Sequence, residues 1–389
     1  MTYQSPGSGL AYLDYNATAP TRPEALAAAV EAMSTVGNAS STHRSGRNAA
    51  GRVDLARRQV AELLNCAHGE IIFTSGATEA NNLALRAAFG VGGRLVTSTV
   101  EHPAVLETAK AITSGSPGSL MLLPVDEDGL VDLDALRATL ATGEVAVVSL
   151  MAANNETGVI TDLGPVVEAA HHAGALVHTD ATQLVGRLAL DLAETDVDLL
   201  SLSAHKFGGP QGVGALFVRR GTPLPYRPLL FGGGQERGWR AGTHNVAGIA
   251  GAGAAAEAAR RALATEAPRI AQLRDALEES LVEQVGDCRV NGAPGMRLPG
   301  VTSITFNGAP ADAVLTAMPD VAASEGSACS SGAPSPSHVL LAMGRSREEA
   351  DSTVRFSLGY ATTALEIERA AASAVRAVRQ VRAALTGPL

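Results

Sequence analysis

The sequence predicts an α/β protein built on a mainly parallel, doubly wound sheet that is covered by helices on both faces. Two observations carry this prediction. The chain has 389 residues, and 46% of them are hydrophobic, so it can bury a large core. Short β-branched or apolar runs alternate with helical patterns through its middle part. In such sheets ligands bind beyond the carboxyl ends of the strands, so polar residues that follow these runs are candidate site residues.

Five short runs are predicted to be strands of this sheet because they are rich in β-branched or apolar residues. They span residues 94–99, 145–150, 175–178, 198–202 and 213–218. A helix is predicted over 163–173, since Pro165 lies in its first turn and Gly174 directly follows its end. The polar residues at the ends of the strands are Glu101, His102, Asn154, Asn155, Asp180, His205 and Lys206.

Toward the C-terminus the regular alternation of strands and helices ends, and helical patterns outweigh the few strand-like runs. Helical patterns cover 270–284 and 311–318, and strand-like runs cover 303–306 and 353–358. The last helix is predicted to begin with a capping box formed by Thr363 and Glu366. We expect a smaller α+β domain, residues 261–389 with the N-terminal segment 1–11, beside a large domain of residues 12–260.

Composition and charge argue against a nucleic-acid-binding protein, a membrane protein and a disulfide-stabilised secreted protein. The 39 acidic and 30 basic residues give a formal net charge of −9, and no Lys/Arg cluster indicates a nucleic-acid surface. No run reaches the roughly 18 apolar residues of a membrane helix, and residues 1–10 do not resemble a secretion signal. Three cysteines are too few for a disulfide framework and indicate a reducing compartment. We therefore expect a cytoplasmic protein that binds neither nucleic acid nor membrane.

The strongest local signal is a lysine, Lys206, that directly follows a buried type of strand and precedes two glycines. Burying an ammonium group is costly unless the group is paired or neutral. A lysine whose charge is suppressed can form a Schiff base with an aldehyde. The alternative is an ordinary lysine solvated at the end of a strand, and this stretch alone favours neither interpretation.

Asp180 follows another predicted strand, three residues before Gln183. A carboxylate at this place can keep a pyridine nitrogen protonated, as pyridoxal phosphate (PLP) requires, and Gln183 can bond the ring hydroxyl. The alternative is an aspartate that caps the next helix. His178 and Asp180 lack further ligands at useful spacing, so no metal site is predicted.

A phosphate cradle is predicted where residues 75–82 follow a strand-like run and open a helical pattern. Backbone N–H groups at a helix start, together with the Thr78 hydroxyl, suit a phosphate. Ser203, His205 and Thr243 can add donors if their segments converge. The GKS/T ending of a P-loop and the GxGxxG fingerprint of dinucleotide binding are both absent.

His102 lies directly beyond the predicted strand 94–99 and precedes a proline. Its imidazole can stack on a flat cofactor ring and can move protons near neutral pH. The alternative interpretation is a loop histidine without a catalytic role.

Cys329 differs from the other two cysteines because it stands in a stretch of small residues, 324–332, followed by two prolines. An exposed thiol on such a loop is a liability unless the protein uses it. A nucleophilic cysteine beside a Schiff-base lysine would indicate sulfur chemistry, and an incidental loop cysteine is the alternative. Cys66 and Cys288 are predicted to be structural residues in helices or loops.

Nine motifs occur in an order that matches one known family. They span residues 12–20, 38–46, 73–83, 101–105, 154–159, 178–183, 203–210, 232–243 and 326–330. With them the chain resembles the PLP-dependent cysteine desulfurases of the class V aminotransferase superfamily, and its GSACSSG stretch resembles the NifS/IscS-type branch. The resemblance implies PLP fold type I, with a seven-stranded sheet in the large domain and the cysteine loop on the small one.

The resemblance also implies a role for the residues that can carry chemistry. Lys206 would be the Schiff-base lysine, and Cys329 would form the persulfide. Asp180 would pair with the pyridine nitrogen, Gln183 would bond the ring hydroxyl, and His102 would stack on the ring and act as an acid/base.

Further residues are implied to hold the phosphate and the substrate. The phosphate-binding residues of one chain would be Ala77, Thr78, Ser203 and His205. Thr243 would reach the phosphate of a neighbouring subunit, which implies a homodimer with shared sites. Asn155 would lie between cofactor and substrate, and Arg355 would grip the substrate carboxylate by a bidentate pair.

The implied reaction converts L-cysteine to L-alanine and leaves the sulfur on the enzyme. The persulfide would pass to an acceptor protein, either an iron–sulfur scaffold or a tRNA-thiolating protein. The alternatives are a selenocysteine lyase or another class V PLP enzyme such as an aminotransferase, against which Cys329 argues. Glu325 departs from the family, in which a small residue is more common at this position.

Overall fold

The computed structural model describes residues 9–90, 92–116, 118–225, 228–326 and 336–386, and the bounds below refer to these. The strands are β1 Ala11–Tyr12, β2 Ile71–Thr74, β3 Arg94–Ser98, β4 Leu120–Leu123, β5 Val145–Ser149, β6 Leu176–Asp180, β7 Leu199–Ser203, β8 Gly214–Val218, β9 Cys288–Asn291, β10 Val301–Phe306, β11 Val321–Ala322, β12 Ser324–Glu325 and β13 Thr353–Ser357. The helices are α1 Pro23–Met33, α2 Arg44–Leu64, α3 Ala77–Phe89, α4 Pro103–Thr113, α5 Leu133–Ala141, α6 Leu163–His172, α7 Val246–Val285, α8 Ala311–Ala317, α9 His338–Ala342, α10 Arg347–Asp351 and α11 Ala364–Thr386. Short 3₁₀ helices cover His68–Glu70, Ala204–Lys206 and Gln235–Gly238.

The large sheet has the strand order β2-β8-β7-β6-β5-β3-β4. β8 is antiparallel to both of its neighbours, and the other strands run parallel to one another. This confirms the mainly parallel, seven-stranded sheet, and the five predicted strands end within two residues of their predicted bounds. All residues of β5 are buried because helices cover both faces. β4 was not predicted, since it lies at the edge of the sheet and is partly exposed.

A second, smaller sheet and its helices form the C-terminal part of the fold. Its antiparallel strands have the order β12-β13-β10-β9, and β1 pairs separately with β11. Leu13 packs in the same core as Phe306 and Phe356, so the N-terminal strand joins this region. The predicted capping box is present, because Thr363 N donates to Glu366 Oε2 at 2.8 Å and Glu366 N donates to Thr363 Oγ1 at 3.3 Å.

Helix α7 extends over 40 residues and contributes to the cores of both sheets. The helix predicted over 270–284 is its C-terminal part. A Cβ on Gly253 would lie 2.4 Å from Ala56 Cα, so the small residues of the N-terminal part allow α7 to pack closely on α2. The predicted boundary between residues 260 and 261 falls within this helix, and the division into two domains stays a prediction. No helix in the described ranges is long and apolar enough to cross a membrane.

Two of the three cysteines lie within the described residues, and both are partly buried. Cys66 follows the end of α2. Cys288 begins β9, so the prediction that it lies in a helix or loop is wrong; this strand forms by long-range pairing with β10. Burial raises the pKa of the Cys66 thiol to about 12 and also raises that of Cys288. Both thiols are therefore held in the protonated, unreactive form.

Candidate active site

A cavity of ≈ 440 Å³ lies at the carboxyl ends of β2, β3, β5, β6 and β7. The predicted site residues that line it are Ala77, Thr78, His102, Asn155, Asp180, Gln183, Ser203, His205 and Lys206. Thr243 and Arg355 do not line it, and Cys329 lies outside the described residues. The strand order therefore brings together residues that are up to 129 positions apart in the chain (Ala77 and Lys206).

Lys206 ends the short 3₁₀ helix that follows β7. Its Nζ donates to the carbonyl oxygens of Asn16, at 2.5 Å, and Ala17, at 2.8 Å. After Lys206 the chain folds back in a tight turn, which is closed by a hydrogen bond from Gly209 N to Ala204 O at 2.9 Å. A Cβ on Gly209 would lie 2.8 Å from Ala204 Cβ, so this turn requires glycine. The turn and the two carbonyls hold the amino group of Lys206 at the cavity wall.

Asn16 connects several residues of the cavity. Its carbonyl oxygen accepts from Lys206 and, at 3.1 Å, from Gln183 Nε2. Its side-chain Nδ2 donates to Asn155 O at 2.9 Å, and its Oδ1 accepts from Arg187. Sequence reasoning placed Asn16 in a matching motif and gave it no role of its own. These contacts cross 139 to 190 residues of chain, so no local pattern predicts them.

Asp180, the last residue of β6, has a hydrogen bond to each carboxylate oxygen. Thr182 N donates to Oδ1 at 3.0 Å, and Asn81 Nδ2 donates to Oδ2 at 2.7 Å. The bond from Thr182 closes a local turn, and no helix begins between β6 and β7 in the described structure, so the alternative interpretation of Asp180 as a helix cap is wrong. Asn81, which sequence reasoning did not single out, is fully buried on α3 one turn beyond Ala77. The two bonds hold the Asp180 carboxylate in one orientation at the cavity.

The start of α3 provides the donors for an anion. The helix follows Gly76 without a side-chain cap in the described structure, and the first N–H groups of a helix have no partner within it. A Cβ on Gly214 would lie 2.6 Å from Gly76 Cα, so β8 supports this turn by direct backbone packing. Thr78, Ser203 and His205 lie around the same cavity. Burial lowers the pKa of His205 to about 4, which keeps its ring neutral at physiological pH.

The predicted motif at residues 232–243 reaches this helix start through an ion pair. Arg240 Nε donates to Glu79 Oε1 at 3.0 Å, and Ser75 N donates to Glu79 Oε2 at 2.8 Å. Burial alone would raise the pKa of Glu79, but the hydrogen bonds from Ser75 and Arg240 outweigh burial and lower this pKa. Thr243 itself is exposed. The motif is therefore attached beside the cradle, while Thr243 lies outside the cavity of its own chain.

His102 is the N-cap of α4, and its Nδ1 accepts from Ala104 N at 3.0 Å. In the neutral ring the proton is therefore on Nε2. Burial lowers the pKa of His102; Lys206 and His338 lower it further, and Asp180 opposes the shift. His102 thus lines the cavity as a neutral imidazole with one nitrogen already committed to the helix cap.

The donors and acceptors of the cavity fit PLP. Buried polar atoms at its wall have no hydrogen-bond partner among the described residues, namely Asn81 Oδ1, Thr182 Oγ1 and Gln183 Oε1. The cavity also has an anion cradle, a lysine and an oriented carboxylate. A phosphorylated pyridine aldehyde requires these groups together.

Arg355 on β13 is 1% exposed and lies just behind the cavity wall. Its Nη1 donates to Asn155 O at 3.0 Å. Its Nη2 donates to Asp14 Oδ1 at 2.9 Å and to Ser324 Oγ at 2.6 Å. Its Nε has no hydrogen-bond partner in the described part of the chain. The guanidinium is paired with Asp14 here, and its role toward a substrate carboxylate stays a prediction.

Glu101 is a buried acid whose chemistry sequence reasoning did not consider. Ser98 Oγ and Met151 N both donate to its Oε1 at 2.9 Å, and its Oε2 has no partner in the described structure. Burial raises the pKa of Glu101 to about 8. At neutral pH the folded protein therefore holds this carboxyl mainly protonated, one residue before His102.

We expect Glu101→Gln to change the pH dependence of folding stability. The pKa of Glu101 is higher in the folded state than its ordinary value of 4.5, so the wild type takes up a proton on folding between about pH 4.5 and 8. The stability of the wild type relative to the glutamine variant is greatest below pH 4.5, falls as pH rises, and is constant above about pH 8. Urea unfolding of both proteins from pH 5 to 9 measures this difference. A constant difference would contradict the prediction, and exposed Glu127→Gln is the control.

The chain is similar over nearly its whole length to known proteins of one family. The family model described as aminotransferase class-V matches residues 11–370. A cysteine desulfurase of Cereibacter sphaeroides is 46% identical over 365 residues, which cover 92% of this chain and 93% of that protein. The structure of a NifS-like protein from Rickettsia africae has a TM-score of 0.86 at 30% identity, covering 96% of this chain and 100% of that one. A protein named SspA, solved in complex with cysteine, has a TM-score of 0.78 at 31% identity, covering 90% of this chain and 98% of that one.

Proposed function

The chain belongs to the class V aminotransferase family, and within it to the PLP-dependent cysteine desulfurases, and from this premise we propose the part that each site residue plays. A cysteine desulfurase removes the sulfur of L-cysteine and leaves L-alanine. Lys206 is the proposed lysine that bears the cofactor, and Cys329 is the proposed thiol that takes up the sulfur. The observation that carries this proposal is the position of nine predicted residues around one cavity.

Different residues of the cavity would bind different parts of the cofactor. The start of α3 with Ala77 and Thr78, together with Ser203 and His205, would hold the phosphate. Asp180 would pair with the ring nitrogen, Gln183 would bond the ring hydroxyl, and His102 would lie against the ring. When bound, the cofactor supplies an electron sink for the electron pair left on the substrate Cα.

Two residues of the chain handle protons in this proposal. The Lys206 amine removes the α-proton of the substrate and returns a proton at the end of the reaction. His102 exchanges a proton with the substrate sulfur through Nε2, since its Nδ1 is engaged by Ala104 N. The two carbonyl oxygens that hold Lys206 Nζ orient the amine for the first of these transfers.

Asn155 and Arg355 are the proposed substrate residues. Asn155 lines the cavity, and its carbonyl accepts from Arg355 Nη1, so the two residues are positioned together. A planar guanidinium suits a carboxylate, and the unpartnered Nε of Arg355 leaves a donor for one. The solved relative SspA binds cysteine, which supports an amino acid as the substrate.

Cys329 is proposed as the nucleophile partly because the other two thiols are unsuited. Cys66 and Cys288 do not line the cavity, and burial raises the pKa of each. In the proposed step the Cys329 thiolate attacks the substrate sulfur, a new S–S bond forms, and the C–S bond breaks with its electron pair left on carbon. One L-cysteine and one Cys329 thiol thereby give one L-alanine and one Cys329 persulfide.

We further propose a cytoplasmic homodimer that passes sulfur to an iron–sulfur scaffold or a tRNA-thiolating protein, without binding nucleic acid itself. The exposure of Thr243 outside the cavity of its own chain supports its use by the neighbouring subunit. Residues 232–243 would then complete the phosphate site of the other copy.

The experiment that tests this function supplies the purified, PLP-loaded protein with L-cysteine and a reductant. We expect alanine and sulfide in equal amounts over many turnovers. A parallel reaction with L-selenocysteine tests the lyase alternative, which a strong preference for selenocysteine would favour. Keto-acid products in place of alanine would indicate an aminotransferase and would contradict the proposal.

A further inference from the structure

Glu156 contacts both ends of the segment that carries Cys329. The structure describes the chain up to Gly326 and again from residue 336. Ser337 Oγ donates to Glu156 Oε2 at 2.5 Å. The same Oγ accepts from Leu340 N at 3.1 Å as the N-cap of α9, so its own hydrogen is free to bind the carboxylate. The C-terminal end of the segment is thus attached to Glu156.

The N-terminal end lies against the same carboxylate oxygen. A Cβ on Gly326 would lie 2.5 Å from Glu156 Oε2, which is far inside van der Waals contact. A larger residue at this position would therefore require the buried carboxylate of Glu156 or the backbone at Gly326 to shift. One oxygen atom is adjacent to Gly326 on one side and bonded to Ser337 on the other.

Glu156 itself is firmly held beside the active-site cavity. It is 3% exposed, and its N–H donates to Asn154 Oδ1 at 2.8 Å. The preceding residue, Asn155, lines the cavity and accepts from Arg355 Nη1. Arg355 also donates to Ser324 Oγ, two residues before Gly326. The contacts from the cavity wall to both ends of the segment are therefore short and buried.

We propose that Glu156 is a positioning residue that fixes the two ends of the Cys329 segment to the wall of the active site. In the sequence Cys329 follows Gly326 by three residues and precedes Ser337 by eight, so both contacts of Glu156 are made close to it along the chain. Fixing both ends raises the effective concentration of the thiol at the substrate. This inference rests on the proposed role of Cys329. It gives a role to Glu156, which does not line the cavity.

The test separates a step that needs Cys329 from one that does not. In the PLP-loaded full chain, exchange of the α-hydrogen of L-alanine with D₂O uses Lys206 and the cavity, whereas persulfide formation from L-cysteine also uses Cys329. We expect the hydrogen exchange rate of Glu156→Ala to stay within about twofold of the wild-type rate. Single-turnover persulfide formation in the same variant should be at least tenfold slower than in the wild type. Glu156→Gln keeps an oxygen that accepts from Ser337, so persulfide formation should stay within about threefold.

A second variant and a second readout keep the inference falsifiable. Gly326→Ala inserts a methyl group against Glu156 Oε2. It should likewise slow persulfide formation and spare the exchange of the α-hydrogen of L-alanine, and this test remains available if Glu156→Ala fails to fold. Amide hydrogen exchange of α9 should accelerate at least fivefold in Glu156→Ala, whatever happens in catalysis. Exposed Glu283→Ala is the control.

The outcomes distinguish the two proposals. Equal losses of both rates would mean that Glu156 supports the cavity and not the segment, and unchanged persulfide formation would remove its positioning role. If Cys329→Ala still formed alanine and sulfide normally, the proposed nucleophile would be wrong. Hydrogen exchange in α9 would then still decide whether Glu156 holds the end at Ser337, and unchanged exchange would overturn the inference.

Discussion

Replacing Lys206 by alanine is expected to lower the rate of sulfide release from L-cysteine by about a thousandfold or more, because the acid–base group at the substrate Cα is lost. The visible absorption band of the bound cofactor should disappear as well. Lys206 is one of only two lysines in the whole chain, and it is the lysine that lines the cavity. Absorption spectroscopy and a sulfide assay measure the two effects.

The second lysine provides a matched control. Lys110 lies on α4, is exposed, and forms a surface ion pair with Glu107 at 2.7 Å. We expect Lys110→Ala to keep both the absorption band and the activity. Borohydride reduction of the loaded wild type should attach the cofactor mass to the peptide that contains Lys206. Attachment at Lys110, or an unchanged spectrum in Lys206→Ala, would remove the assignment.

Replacing Cys329 by alanine is expected to keep the cofactor and to stop the sulfur chemistry. Nucleophilic attack on the substrate sulfur is lost, so we expect persulfide and sulfide formation to fall by about a thousandfold or more. The absorption band and the thermal midpoint should stay at the wild-type values, since no described residue that holds the cavity together changes. Mass spectrometry of the protein after one turnover measures the persulfide, and a sulfide assay measures the overall rate.

Cys288→Ala is the control for this prediction, because that thiol lies at the start of β9, away from the cavity. It should retain the full rate. Undiminished sulfide release by Cys329→Ala would show that another group receives the sulfur. Loss of the absorption band in Cys329→Ala would point to a structural effect instead.

Much of the architecture follows from local chemistry that is visible in the sequence. The strand Val145–Ser149 begins with four apolar residues in a row because both faces of the sheet are buried, and such a run is recognisable without any partner. The capping box at Thr363 and Glu366 involves residues only three positions apart. The candidate site residues were predictable for a related reason, since the ends of parallel strands gather at one edge of a sheet.

Other features depend on contacts between distant parts of the chain. The edge strand β4 and the short strand β9 gain their conformation from neighbouring strands, and their own sequences carry a weak signal. Helix α7 is continuous across Pro268, and its glycine-rich half is helical because small residues let it pack on α2. Local propensity does not contain this information.

The same division applies within the active site. Lysine, aspartate and histidine at the ends of strands indicate their chemistry by residue type alone, so Lys206, Asp180 and His102 were candidates from the sequence. Asn16 and Glu156 were given no role, because each acts through partners that lie at least 139 positions away in the chain. Asn16 meets Lys206 across 190 residues, and Glu156 meets Ser337 across 181. Residue type along the chain determines which reactions are available, and burial together with long-range hydrogen bonds determines which side chains hold the reacting groups in place.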